Sequence, residues 1–167
     1  IDQGTHVLGM ALGSESMLDW LAHSDNAASV MFKSADYTHE ASVISQLDNF
    51  VSINSAIEID LMGQVNAEVA GGKQISGTGG SVDFMRAAKM SNGGRSIVAM
   101  SATARRGSVS RIVPRVDVVT ALRTDVDIVV TEFGVAALKD ASLAARAERL
   151  IAIAHPDFRG ELRSAIT

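Results

Sequence analysis

Cysteine is absent from this 167-residue chain and proline occurs twice. Without a thiol no disulfide can form and no thiolate can hold a metal. The four histidines, His6, His23, His39 and His155, are spread along the chain with no metal-ligand spacing, so no metal is expected. Aromatic residues make up 4% and the formal net charge is −4, with lysine and arginine scattered. A nucleic-acid surface needs a basic stripe, commonly with interleaved aromatics, and none is present. No apolar run reaches the ~20 residues that cross a bilayer, so no membrane partner is expected. The opening IDQGTHVLGMALG lacks a basic stretch followed by a long apolar one, which leaves the cytoplasm as the expected compartment. Ile1 is not an initiator methionine, and a piece of a longer polypeptide is expected.

What the chain does contain is apolar: 47% hydrophobic residues against 20% charged. That balance specifies a globular fold, and a chain of this length buries roughly two-thirds of its unfolded surface as one domain over 1–167. SESMLDWLAH (14–23) reads as a serine-capped amphipathic helix and EASVISQL (40–47) as another. Strands are expected at 28–32, 50–54, 56–61, 95–101, 116–120 and 127–131, with a hairpin through Gly63-Gln64 into 65–69. Helices are expected at 81–90, opened by a Ser81 cap, at 141–153, and after Pro156. Short strands alternating with helices predict an α/β fold whose sheet is partly parallel and partly antiparallel. The methionines, Met10, Met17 and Met31 among them, read as core filler.

Residues 71–80, GGKQISGTGG, hold five glycines in ten positions and run straight into the expected helix. Such density frees the backbone and lets amides of residues 79–82 point at a guest near a partly positive helix terminus. A phosphate or an oxygen that becomes negative during reaction is the guest such amides suit. The stretch is neither GxxxxGK[ST] nor GxGxxG, since Val82 stands where the third glycine belongs, and a tight turn binding nothing stays open.

Glu58, Asp60, Glu68, Asp83 and Glu132 lie in or beside apolar runs, where a carboxylate can act as nucleophile or base, or serve only as a cap or wet-face residue. Arg105, Arg106, Arg111 and Arg115 gather in a glycine- and serine-bearing segment. Their forked donors suit a phosphate-bearing ligand, against the alternative of a solvated loop.

Taken together, YTHEASVI (37–44), VSINSAIEIDLMGQVNAE (51–68), GGKQISGTGGSVDFMRAAKMSNGGRSIVAM (71–100), SRIVPRVDVVT (110–120), DIVVTEFGVAALKD (127–140) and AHPDFR (154–159) resemble one family. The chain is similar to the C-terminal portion of the acetyl-CoA hydrolase/transferase family, which includes 4-hydroxybutyrate CoA-transferase and succinyl-CoA:acetate CoA-transferase. The resemblance implies an open α/β/α sandwich of the CoA-transferase type with a mixed sheet, and a class I CoA-transfer reaction through an acyl-glutamyl anhydride and a glutamyl-CoA thioester. It implies no cofactor beyond CoA as substrate; the partners it implies are acyl-CoA or CoA, a small carboxylate, and a further copy of the chain in a homo-oligomer.

By resemblance, Gly79 and Gly80 present backbone amides to the reacting carbonyl, and a side chain at Gly80 would take the thioester's space. Thr38, His39, Gly77 and Arg106 are then expected near substrate or CoA. The family's nucleophilic glutamate belongs to a segment preceding the part that resembles residues 1–14, so this chain is expected to lack it and the N-terminal half of the enzyme. The alternative is a module that binds CoA or another nucleotide without chemistry.

Overall fold

A computed structural model of the chain describes residues 1–166, the side chain of Ser24 excepted. The first third comprises β1 (His6–Leu8), α1 (Glu15–Ala22), α2 (Ser24–Ala27), β2 (Val30–Phe32), α3 (Ala35–Thr38), α4 (Ala41–Ile44) and β3 (Val51–Asn54). There follow β4 (Glu58–Asp60), β5 (Val65–Asn66), β6 (Val69–Ala70), β7 (Lys73–Gln74), α5 (Ser81–Met90) and β8 (Arg95–Ala99). The last third holds β9 (Thr103–Ala104), β10 (Val109–Ser110), β11 (Ile112–Val113), β12 (Ile128–Thr131), β13 (Gly134–Ala137), α6 (Leu143–Ala152) and α7 (Arg159–Ser164).

The main sheet runs β13-β12-β8-β3, with β3, β8 and β12 parallel and β13 antiparallel. Period-two alternation decides its faces. Ser52, Ser96, Val98, Val129, Thr131 and Ala136 point to the buried side. There Val98, Val129 and Ala136 meet Met85 of α5 and Ala147, Leu150 and Ile151 of α6 in one core. A smaller sheet, β11-β4-β5, adds Ile59, Val65 and Ile112 to the same core. β1 and β2 form a separate parallel pair. The architecture is the expected mixed α/β fold.

Local signals explain most elements. Ser14 caps α1 by accepting from the Met17 amide, and Ser142 caps α6 by accepting from Ala145. The β4–β5 hairpin turns on Asp60, whose Oδ1 accepts from the amides of Met62 and Gln64 at 3.0 and 2.9 Å. β6 and β7 are joined by Gly71-Gly72, both at positive φ, the two-residue turn that matches strand twist.

Four expectations need correction. Residues 116–120 form no strand; the adjoining Ala121 makes one isolated bridge to Val65, and Thr120 holds the segment there by bonds of its amide to Val65 C=O and of its hydroxyl to the Ala67 amide and the Glu68 carboxylate, in place of a ladder. Ser81 is the first residue of α5 and caps nothing; Gly80 holds the cap position, with no side-chain bond. The helix expected over 40–47 ends at Ile44. Only some methionines fill the core: Met85 and Met100 are buried, whereas Met10, Met31 and Met90 are exposed. The short strands β1, β7, β9, β10 and β11 were not foreseen from the sequence, and neither was β13. β13 is built from Gly134, Val135, Ala136 and Ala137, three of them weak strand formers, and its pairing with β12 overrides that weakness.

Candidate active site

The start of α5 is the centre of the site. The first helical amides have no partner within the helix, and Phe84 N–H to Gly80 C=O, at 3.3 Å, is the bond that opens the ladder. Gly79 sets the turn into it with φ +57 and open space where a Cβ would stand. Gly80 has an ordinary φ of −95. Its missing side chain has another cause: a Cβ there would overlap the His39 ring, atoms Cδ2 and Nε2. The glycine therefore accommodates an imidazole held against the helix start. Gly77 is exposed with nothing near its Cβ position.

His39 is fixed from two sides. Its ring lies 4.8 Å from that of Phe84, tilted, and Phe84 is followed at 6.5 Å by Phe50. Its Nδ1 is 2.9 Å from the Thr38 hydroxyl, which also reaches the Ser34 carbonyl at 3.3 Å. When the single hydroxyl proton goes to Ser34, the hydrogen between Thr38 and His39 is carried by Nδ1, and the Nε2 of the neutral ring is left an acceptor facing Gly80.

Thr38, His39, Phe50 and Phe84 line a cavity of about 350 Å³, which Gly79 and Gly80 themselves do not line. Its lining also includes the polar residues Asp2 and Tyr37 and the apolar Leu47. Tyr37 O–H donates to Asp2 Oδ2 at 2.6 Å. That bond, helped by desolvation, raises the phenol above its usual 10.0, so the proton stays on Tyr37. The Tyr37–Asp2 pair lay outside the sequence reading; the only available signal was that Tyr37 is the sole tyrosine.

The carboxylates singled out in the sequence are mostly structural. Buried Asp60 organises its hairpin and accepts from Gln64 Nε2 at 2.8 Å. Glu68 accepts from Thr120 at 2.7 Å, Glu58 from Asn66 at 3.2 Å, and Glu132 from the Ala102 amide at 2.8 Å. Asp83 is exposed in the first turn of α5, where a negative charge complements the helix dipole.

The arginines divide likewise. Arg111 is turned inward, its Nε donating to Ile57 C=O at 2.8 Å. Arg105 and Arg106 are exposed in a turn between β9 and β10, both with left-handed backbone, and Arg105 approaches the Gly71 hairpin. Arg106 takes no part in the Thr38–His39–Gly80 contacts.

The closing AHPDFR segment forms its own aromatic knot. His155 meets Phe133 edge-on at 5.2 Å, while Arg159 stands 5.9 Å over the Phe133 ring and donates to Ala154 C=O at 2.9 Å.

A fold of this kind is matched by known proteins. Residues 13–166 fit the acetyl-CoA hydrolase/transferase C-terminal domain, and the chain belongs to that family. Among curated relatives, it is 48% identical over 162 residues to the 4-hydroxybutyrate coenzyme A transferase of Clostridium kluyveri, matching 95% of this chain and 37% of that protein. It is 46% identical to a probable butyrate:acetyl-CoA coenzyme A-transferase of Syntrophomonas wolfei, with 97% and 37% covered. RipA from Yersinia pestis superposes with a TM-score of 0.86 at 42% identity, over 99% of this chain and 36% of that one. The chain thus spans little more than a third of the length of these relatives. No helix among the described residues is long and apolar enough to cross a membrane.

Proposed function

We propose that this chain is the part of a CoA-transferase or acyl-CoA hydrolase that supplies the oxyanion amides and a share of the CoA pocket, while the nucleophilic glutamate comes from outside it. The observation that carries this reading is the start of α5, where unpartnered amides follow Gly79 and Gly80 beside a fixed His39 and a cavity of about 350 Å³. Donors preorganised toward a charge that develops only in the transition state contribute roughly 3–4 kcal/mol each. In this reading a glutamate attacks the thioester carbonyl, and the Gly80 amide receives the negative oxygen. CoA thiolate leaves, then returns to the acyl-glutamyl anhydride and expels the carboxylate. A second carboxylate attacks the resulting glutamyl-CoA thioester and releases CoA thiolate, which takes the new acyl group from the mixed anhydride and frees the glutamate; in a hydrolase, water cleaves the glutamyl-CoA thioester to CoA and the free glutamate.

The other roles follow from the same reading. Thr38 and His39 border the reacting group, Gly77 keeps the loop open to the ligand, and exposed Arg106 meets the phosphates of CoA. CoA is substrate, and no further cofactor is assigned. The partners are a small carboxylate, the N-terminal half of the enzyme and a further copy in an oligomer, in the cytoplasm.

Nuclear magnetic resonance of the isotope-labelled chain titrated with CoA and with a non-hydrolysable acetyl-CoA thioether tests this. The expected result is movement of the amide signals of residues 79–82 and of the His39 ring. Binding that leaves these signals in place, or no binding, refutes it. Binding by a chain that stays inactive when joined to the rest of a family enzyme would instead favour the non-catalytic module.

A further inference from the structure

The hydrogen-bond chain that holds His39 ends in a bare nitrogen. The Ser34 carbonyl accepts from the Thr38 hydroxyl at 3.3 Å, and the hydroxyl oxygen lies 2.9 Å from His39 Nδ1. The hydroxyl has one proton; once it is given to Ser34, the ring donates from Nδ1 and its lone pair is left on Nε2. Nε2 has no hydrogen-bond partner among the described residues. An imidazole with one nitrogen oriented by a neighbour and the other free has the arrangement of a general base.

Its position gives that base a task. Nε2 overlaps the point where a Gly80 Cβ would stand, which puts it within about 5 Å of the Gly80 amide nitrogen. A water bonded to Nε2 and the carbonyl that it attacks span that gap, with the carbonyl oxygen turned to the amide. The tilted contact with Phe84, at 4.8 Å, keeps the ring in place. His39 also lines the cavity of about 350 Å³, where Asp2 and Tyr37 offer a water further polar partners.

Chemistry separates the two fates of a glutamyl-CoA thioester. An acceptor carboxylate carries no proton, so a base has nothing to remove when it attacks. Water must lose a proton and is a weak nucleophile until it does. A base beside oxyanion amides therefore serves hydrolysis.

We infer that His39 is the general base of a hydrolytic activity, so that the enzyme containing this chain hydrolyses acyl-CoA as well as exchanging it. Nε2 takes a proton as the water oxygen bonds to the glutamyl carbonyl carbon, and the carbonyl oxygen becomes the oxyanion at the Gly80 amide. The oxyanion collapses, the C–S bond breaks, and the CoA thiolate takes the proton from Nε2. Glutamic acid and CoA are left, and the acid ionises to solvent. Thr38 is a positioning residue, because it sets the tautomer through Nδ1. The inference rests on the proposed function for the glutamyl-CoA thioester. It adds the base and the fate that the base selects.

The chain fused after the N-terminal portion of the Clostridium kluyveri enzyme is given acetyl-CoA, once without an acceptor to read CoA release and once with propionate to read propionyl-CoA. Steady CoA release without acceptor is expected. His39→Ala should lower that release at least tenfold more than it lowers transfer; imidazole in solution should restore it, and pyrazole, of the same shape but hardly basic, should not. Equal losses of the two rates, or equal rescue by pyrazole, overturn the inference. Transfer without hydrolysis by the unsubstituted fusion overturns it too and leaves the proposed function standing, whereas a folded fusion with neither activity refutes both.

A second measurement needs no fusion. In the isotope-labelled chain at about pH 8, where an imidazole is neutral, the nitrogen shifts of His39 are expected to show Nδ1 protonated and Nε2 bare, and Thr38→Val to move the proton toward Nε2. A proton on Nε2 in the unsubstituted chain overturns the inference whatever the fusion does.

Discussion

The imidazole of His39 stands on Gly80 where a side chain would begin. The φ of −95 at this position suits any residue, so the glycine is required by the ring and not by the backbone. Gly80→Ala is expected to cost about 1–3 kcal/mol, because Thr38 and Phe84 hold the ring that must move. In the His39→Ala background the same change should cost much less. Urea denaturation of the four members of this cycle gives the coupling, expected at about 1 kcal/mol or more; additive effects would show that the contact is not tight.

Gly79 poses the opposite case. Nothing lies near its Cβ position, yet its φ is +57. Gly79→Ala should therefore cost about 1–2 kcal/mol through backbone strain alone, and His39→Ala should not relieve it. A shared relief would mean that the two glycines are one packing feature.

The Tyr37–Asp2 bond predicts a pH dependence. Tyr37 has a folded-state pKa raised above 10.0, chiefly by donating to Asp2. A raised value means that the contribution to stability is complete below the unfolded pKa near 10 and is lost as pH rises through the folded one. The phenolate absorbance reports this single tyrosine directly. Its midpoint should lie above 10.0 and fall on Asp2→Asn, while Tyr37→Phe should flatten the alkaline loss of stability.

The acidic side has its counterpart in Glu40, which caps α4. Its carboxylate accepts from the Ser42 amide at 3.1 Å and hydroxyl at 3.0 Å, and these bonds, the amide first, lower its pKa below 4.5. A depressed value gives stability that is present above the unfolded pKa and lost as pH falls through the folded one. Ser42→Ala should move the Glu40 titration upward, followed by its carboxyl resonance, and an unmoved titration would show that the hydroxyl contributes nothing.

How much of this was readable beforehand depends on how local the cause is. α1, α5 and α6 carry their own apolar periodicity, and the β4–β5 hairpin carries its Gly63 turn. The glycine loop announced a special backbone, and the resemblance placed it in an active site. It did not reveal that His39, 41 residues earlier, is what Gly80 makes room for. Tyr37 and Asp2, 35 residues apart, meet only once α3 packs beside the first residues. The carboxylates were left open for the same reason: an acidic residue in an apolar run signals a partner without naming it, and here the partners are Asn66, Thr120 and turn amides.

Glu68 and Thr120 give a further prediction. Their hydrogen bond, together with the Thr120 oxygen accepting from the Ala67 amide, fastens the 116–120 segment to the small sheet. Thr120→Val keeps the shape and removes both bonds, and it should destabilise by about 1–3 kcal/mol in denaturant unfolding. No change would mean that the segment is held by Val65 and Ala121 alone.

The account stands most directly on turnover. Acyl transfer from acetyl-CoA to a small carboxylate is measured for the 167-residue chain and for its fusion to the N-terminal portion of the Clostridium kluyveri 4-hydroxybutyrate coenzyme A transferase. The account predicts no transfer by the chain and clear transfer by the fusion. Transfer by the chain alone, or a folded fusion without activity, would contradict it.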